Sequence, residues 1–371
     1  PAEGASGDNG AQLSYSFTDA MATPALLRKM PGILAGRDPA FLFRPGLDIR
    51  LVPWGLGFLG QCSKHNARAN TLAVLKLAMR SAALMEQVRE RVPLEFSFRR
   101  AGKLVMLGDA AQREAAVASM EAKQAEGSRL ELLSPDQACE IEPALERFSY
   151  AYVGSIWSEE DEVGDTRAFT VGLSGWLADQ RGVRFRLGTV VNSVEAESGT
   201  LKGVTVDGEF NACDAAVTCL GAWSPRLLRP LGIRLPIYPV RGYSLTLPPG
   251  PATASVSITD LSSKIVFSHI GGQVRIAGFA DFTGFKTKWD ERRTRALLDT
   301  ARQLAPDAAD YTAREFHPWA GFRPMTPNSQ PLTGPTGIRG LYLNTGHGTL
   351  GWTLACATAS DIADEIHSRT N

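Results

Sequence analysis

Residues 345–352 read Thr-Gly-His-Gly-Thr-Leu-Gly-Trp, which sets Gly346, Gly348 and Gly351 in a G-x-G-x-x-G pattern. A strand is predicted just before it, over 341–344, and a helix just after, over 352–366. The pattern lacks the setting of a dinucleotide fingerprint, which needs a second strand and an acid about 20 residues on; here the chain that follows is taken up by one helix. The local physics still holds. Glycines let a ligand approach the backbone, and a helix N-terminus presents free N–H groups and partial positive charge. Such a loop suits a group that gains negative charge during turnover; an empty glycine-rich turn is the plainer alternative.

A second segment, residues 319–328 (WAGFRPMTPN), sets Arg323 in an apolar stretch bracketed by glycine and proline. A guanidinium there is either paired internally or available to an anion, and arginine is the preferred two-pronged carboxylate binder. In a third, residues 238–245 (YPVRGYSL), Arg241 and Tyr243 alternate with apolar neighbours and so share one strand face. They read either as substrate contacts or as a packing tyrosine beside a surface arginine. In a fourth, a strand over 215–220 runs into Gly221-Ala222-Trp223-Ser224, where backbone can approach a nucleotide at the carboxyl edge of a sheet.

These residues need a scaffold. Apolar side chains recur with a helical period over 66–92, 110–126, 165–180 and 289–304. Short β-rich runs fall at 103–107, 183–187, 189–194, 203–206 and 215–220. Another group, at 235–249, 255–259, 264–269 and 273–279, reads as an antiparallel meander. The fold class is therefore mixed α/β: a doubly wound nucleotide-binding domain interleaved with an antiparallel-sheet domain, the chain crossing between them more than once. The expected division is 1–80, 156–234 and 319–371 for the first domain, and 81–155 and 235–318 for the second. Residues 30–60, rich in proline and aromatics, read as an irregular surface segment, with a membrane surface or a partner as the other reading.

Composition narrows the function classes. The 371 residues carry 39 basic and 39 acidic side chains, a formal net charge of +0. A nucleic-acid binder would carry a basic excess. Cys62, Cys139, Cys213, Cys219 and Cys356 form no C-x-x-C pair, so they read as small buried hydrophobes in a reducing compartment rather than zinc ligands or a disulfide framework. The histidines lack ligand spacing, so no metal is expected. No apolar run is long enough to span a membrane, and residues 1–10 lack the basic and apolar regions of a signal peptide. The expected location is cytoplasmic, or peripheral to the inner membrane.

Taken in order, the segments SGDNG at 6–10, VRGYSLTLP at 240–248, GFRPMTPNSQPLTGP at 321–335 and LYLNTGHGTLGWTLAC at 341–356 resemble the D-amino-acid oxidase-like flavoprotein superfamily. Within it, the nearest look is to the small-subunit type of bacterial D-amino acid dehydrogenase. The resemblance covers nearly the whole chain and implies FAD. It implies that Arg323 clamps a substrate carboxylate, with Tyr243 donating to the same group and Arg241 close by. Gly346, His347, Gly348, Thr349, Leu350 and Gly351 would line the flavin ring. Gly221 and Ala222 would approach the ribose or pyrophosphate, Val191 the adenine, and Ser6, Asn9 and Gly10 the other side of the cofactor.

The chemistry so implied is oxidative deamination by hydride transfer from Cα to flavin N5, with electrons passed to an acceptor other than oxygen. An oxidase or a multisubunit dehydrogenase acting on glycine, proline-like or opine substrates is a second expectation, and a non-catalytic partner-binding subunit a third. The family's opening strand, G-x-G-x-x-G turn and helix, ahead of the segment at 6–10, has no counterpart in these 371 residues. An additional polypeptide or N-terminal fragment is expected to supply it, because a central parallel strand cannot be dropped without baring its neighbour's backbone.

Overall fold

Ten consecutive residues, Tyr238–Leu247, are buried in a single strand, and the largest sheet is built around them. The computed structural model describes residues 1–370 apart from positions 47, 150 and 315. Within it Tyr238–Leu247 lies between His317–Met325 and Gln273–Phe282, antiparallel to both. The sheet continues through Ile265–Ile270, Ser257–Asp260, Lys103–Leu107 and Gly154–Ser158 to Glu131–Leu133, and Phe41–Phe43 adds on beside Gln273–Phe282. Its central strands are covered on both faces, so they read as apolar runs more than as alternation. Tyr238, Leu245, Ile258, Ile265, Ile276 and Leu297 meet in the main core.

A second, three-stranded sheet carries the other chemistry-bearing segments. Leu341–Thr345 runs parallel to Ala216–Thr218 and antiparallel to Leu332–Pro335, and feeds the terminal helix Gly351–Thr370. That helix packs on the long helix Lys64–Arg91, with Val74, Ala78, Trp352 and Leu354 in one apolar cluster and an Arg80–Asp361 ion pair at 2.5 Å. Antiparallel strands Val191–Glu197, Thr200–Val206 and Glu209–Ala212 form a further small sheet.

The predicted helices at 66–92, 110–126, 165–180 and 289–304 appear as Lys64–Arg91, Ala110–Gln124, Thr166–Arg181 and Glu291–Leu304. Their ends follow cap chemistry. Asp165 accepts from the backbone N–H groups of Arg167 and Ala168, and Gly182 stops the helix at φ +64°, the left-handed conformation in which glycine is favoured. Two expectations fail. Residues 30–60 are not irregular: Pro24–Leu34 and Leu51–Gln61 are helices. Thr23 caps the first, and proline at its start is pre-set for helix. The second holds three glycines and a proline but is pinned by the stacked, buried rings of Trp54 and Phe58, 5.1 Å apart; packing overrides weak propensity there. Conversely, 183–187 forms no strand, and pairing begins only at Val191.

The domain boundaries drawn at 80/81, 155/156 and 318/319 fall inside Lys64–Arg91, Gly154–Ser158 and His317–Met325. The large sheet takes strands from both sets of residues. The five cysteines are free, and no helix is long and apolar enough to cross a membrane among the described residues.

Candidate flavin site

The glycine pattern forms the turn between Leu341–Thr345 and the terminal helix. Gly346 has φ +76° and Gly348 φ +60°. A Cβ on Gly346 would stand 2.9 Å from Thr326 Cγ2, and one on Gly348 would stand 3.2 Å from Met325 Sδ. The Gly348 N–H donates to the Pro324 carbonyl at 3.1 Å. The turn is therefore fastened to residues 324–326, next to Arg323. Gly221 joins the same cluster: its φ is +54°, its Cβ position lies 3.8 Å from Pro324 Cγ, and its carbonyl accepts from Thr345 Oγ1 at 3.1 Å. The motifs at 221–222, 323 and 346–351 are thus brought together by contacts within the chain. His347 contacts Thr358 Oγ1 at 3.0 Å. Burial pushes its imidazole down to about 4, so the ring is neutral near pH 7.

Arg323 lies across the backbone of Gly242. A Cβ there would come within 2.5 Å of the guanidinium carbon. The guanidinium donates to the Phe279 carbonyl at 2.5 Å and the Gly278 carbonyl at 3.4 Å. Among the described residues it makes no ion pair with a carboxylate, while burial lowers it to about 10. The nearby Asp281 carboxylate acts on it through space in the opposite direction, without a direct ion pair among the described residues.

Tyr243 and Arg241 share a face, as their alternation predicts; the Arg241 guanidinium lies 5.4 Å from the Tyr243 ring centre. The structure does not bring that pair onto Arg323. Arg323 registers with Val240, while Arg241 registers with Phe322 and Tyr243 with Ala320, so strand alternation turns them to the opposite face. The buried Tyr243 hydroxyl donates to Asp281 Oδ2 at 2.8 Å. Arg293 pairs with Asp281 at 2.7 Å. Burial nevertheless raises the Asp281 carboxyl above its ordinary range, and burial with the neighbouring Asp281 raises the Tyr243 phenol. Arg241 donates to the carbonyls of Lys286 and Lys288, at 3.2 and 2.7 Å. Tyr243 and Arg241 are thus engaged with Asp281 and with the backbone of 286–288, on the strand face opposite Arg323.

The amino-terminal loop is anchored on the large sheet. Asp8 pairs with Arg275 at 2.7 Å. Asn9 Oδ1 accepts from Thr166 Oγ1 at 2.8 Å and from the Ala11 N–H at 2.9 Å, and the Gly10 carbonyl accepts from Ser268 at 2.9 Å. Gly7 sits 3.7 Å from Trp319 Nε1 by its Cβ position, which places residues 6–10 against the strand that carries Arg323. Ala222 is buried behind the Gly221 turn, and Val191 is exposed at the head of its strand; no contact joins Val191 to the 346–351 turn among the described residues. Those residues hold no cluster of metal-ligating side chains.

Gly242, Asp281 and Arg293 were missed by sequence reasoning. Gly242 had a signal, since a glycine inside a strand marks close approach of another group. Asp281 and Arg293 had none, because their pairing depends on a helix folding over the sheet.

Glycine turns packed against the segment that follows Arg323 place a backbone loop and a helix N-terminus beside a half-buried cation, an arrangement that suits an anionic cofactor. The comparisons make this specific. Residues 1–365 match the family model DAO, FAD dependent oxidoreductase, and the chain belongs to that family. It is similar to D-amino acid dehydrogenase 2 of Ralstonia nicotianae, 39% identical over 378 residues that cover 100% of this chain and 89% of the relative. It is also similar to D-amino acid dehydrogenase of Paramagnetospirillum magneticum, 39% identical over 365 residues covering 97% and 86%. Among solved structures, glycine oxidase from Geobacillus kaustophilus shares the fold with TM-score 0.71 at 23% identity, over 80% of this chain and 79% of that one. The L-proline dehydrogenase from P. horikoshii does so with TM-score 0.70 at 18% identity, over 88% and 92%. FAD is the cofactor of the family, and the positive-φ turn at Gly346 and Gly348, leading into the N-terminus of the terminal helix, suits its negative charge.

Proposed function

We propose that the protein oxidises an amino acid at the carbon bearing the amine, with D-amino acids as the substrate class and a non-oxygen acceptor taking the electrons. The observation that carries this reading is Arg323, a cation without a carboxylate partner among the described residues, fixed one residue from the segment that holds the glycine turn. Bound FAD would supply the hydride acceptor. Gly221, Ala222 and the backbone of 346–351 would hold it, with Ser6, Asn9 and Gly10 opposite and Val191 toward the adenine. The chain's own work is orientation. Arg323 grips the carboxylate, Gly242 sets the height of its guanidinium, and Tyr243, Asp281 and Arg293 keep the strand beneath it rigid. Holding the Cα–H toward the acceptor is worth a large part of such a barrier. The free N–H groups at the start of the terminal helix favour negative charge in the cofactor they face. A panel of D- and L-amino acids, glycine and proline, assayed with an artificial dye and with oxygen, tests this. Turnover of D-amino acids with the dye and little peroxide is expected; turnover confined to L-amino acids, or to amines lacking a carboxylate, would overturn it.

We further propose that another segment, on this or a second polypeptide, completes the nucleotide-binding sheet. Ala216–Thr218 is an edge strand, and apolar side chains stand bare on and just after it, Val217 at 38% and Leu220 at 42% exposure. A parallel strand with its helix would cover them. Mass spectrometry of purified, flavin-loaded protein should find that segment; a flavin-loaded protein without it would end this part of the proposal.

A further inference from the structure

Where the strand Gln273–Phe282 passes Gly242, the ladder slips. Arg241 faces Asp281 and Tyr243 faces Gly278, so Phe279 and Ala280 together stand against the single residue Gly242. This is a β-bulge, a device that re-aims groups beside functional sites. Its first residue, Phe279, has φ +60°. Glycine ordinarily fills such a left-handed position, because a Cβ there crowds the following carbonyl oxygen. A glycine stands immediately before it, at 278, yet the left-handed turn falls on phenylalanine.

The carbonyls at this turn are the ones that hold Arg323. That of Phe279 accepts from one terminal nitrogen of the guanidinium at 2.5 Å, and that of Gly278 from the other at 3.4 Å. A regular ladder aims carbonyls at its neighbouring strands; the bulge turns that of Phe279 to a side chain instead. The two bonds leave further N–H groups of the fork for an anion. The bulge is also pinned from beneath. The Phe279 ring lies in the main core, 3% exposed, with the Arg293 guanidinium 4.3 Å from its centre. Arg293 in turn pairs with Asp281 at 2.7 Å and donates to the Pro39 carbonyl at 2.8 Å, and the Ala280 N–H donates to the Ala40 carbonyl at 2.8 Å. Strained backbone persists only where its surroundings over-determine it, and it clusters at functional sites.

We infer that Phe279 is a positioning residue for carboxylate recognition. Its left-handed backbone at the bulge fixes the direction of the Arg323 fork, and its ring, clamped by Arg293, keeps the backbone there. This role rests on the reading that Arg323 grips the substrate carboxylate, and it adds what sets the angle of that grip. Phe279 acts through Arg323 and is assigned no contact with substrate. The angle matters because a misplacement of about 1 Å in such a clamp can cost about a hundredfold in rate.

Two variants separate the backbone from the ring. Phe279→Gly loses the ring but is free to stay left-handed. Phe279→Ala loses the ring and keeps the Cβ that disfavours the turn. The readout is the Kd of a D-amino acid that the parent oxidises, taken from the concentration dependence of flavin bleaching without dye or oxygen. Phe279→Ala should raise that Kd at least about tenfold and Phe279→Gly no more than about threefold, with flavin content kept. In the Arg323→Leu background, Phe279→Ala should add less than about twofold, because the two act as one unit. Should Phe279→Ala fail to retain flavin, Phe279→Leu takes its place, with the same order against Phe279→Gly expected. With Arg323→Leu still weakening binding, equal Kd values for Phe279→Ala and Phe279→Gly would overturn the role of Phe279 alone. So would a Phe279→Ala effect as large without Arg323 as with it. If Arg323→Leu binds the amino acid as the parent does, or no D-amino acid bleaches the parent, the carboxylate reading itself falls, and the role of Phe279 with it.

Discussion

Arg323 is held by geometry that a single methyl group can disturb. Removing its fork, Arg323→Leu, should weaken carboxylate substrates by about 2–5 kcal/mol, the usual loss when one partner of a desolvated charge pair is truncated. It should leave flavin content unaltered. Steady-state kinetics and absorbance check the two readouts, and an unchanged KM would remove Arg323 from substrate binding. Gly242→Ala reaches the same side chain indirectly, because the new Cβ would stand within 2.5 Å of the guanidinium. KM should rise for substrates with a carboxylate, with the cofactor still bound. Arg323 and the glycine turn could be read from the sequence because arginine in an apolar stretch and glycine ahead of a helix each have few physical uses. That Tyr243 and Arg241 lie on the face opposite Arg323 could not, since which face a side chain takes follows from a strand register fixed by distant residues.

At the level of elements, the turn 346–350 should be less tolerant than the helices it joins. Gly346→Ala sets a side chain at φ +76° and 2.9 Å from Thr326; loss of flavin with the fold intact by circular dichroism is expected. The same turn carries a pH signature. His347 is held down to about 4 against an ordinary 6.5, so the unfolded chain binds its proton first as pH falls. Stability is then full above pH 6.5 and declines as pH drops from there toward 4. Thermal unfolding across that window should show the decline, and His347→Gln should flatten it. Cap chemistry made the helices legible: Asp165 and Gly182 delimit theirs within a residue or two of the reading from sequence. The helices Pro24–Leu34 and Leu51–Gln61 were hidden because proline and glycine signal breaks locally, and only the packing of Trp54 and Phe58 overrules them. The strand Gly154–Ser158 was equally silent, its pairing with Lys103–Leu107 spanning some fifty residues of chain.

For the molecule as a whole, one sheet assembled from distant stretches carries Arg323, Tyr243 and Arg241, and a second, smaller one leads into the glycine turn. They meet where Pro324 and Met325 touch Gly348. The mixed α/β class and the crossing of the chain between layers followed from the order of predicted elements. Continuous elements run through three of the boundaries drawn from sequence. The most direct test of the account is a crystal structure of the flavin-loaded protein with a carboxylate inhibitor. The account expects the isoalloxazine against residues 346–351 and the carboxylate on Arg323, with the Tyr243 hydroxyl still on Asp281. A ring seated elsewhere, or a carboxylate bound away from Arg323, would contradict it.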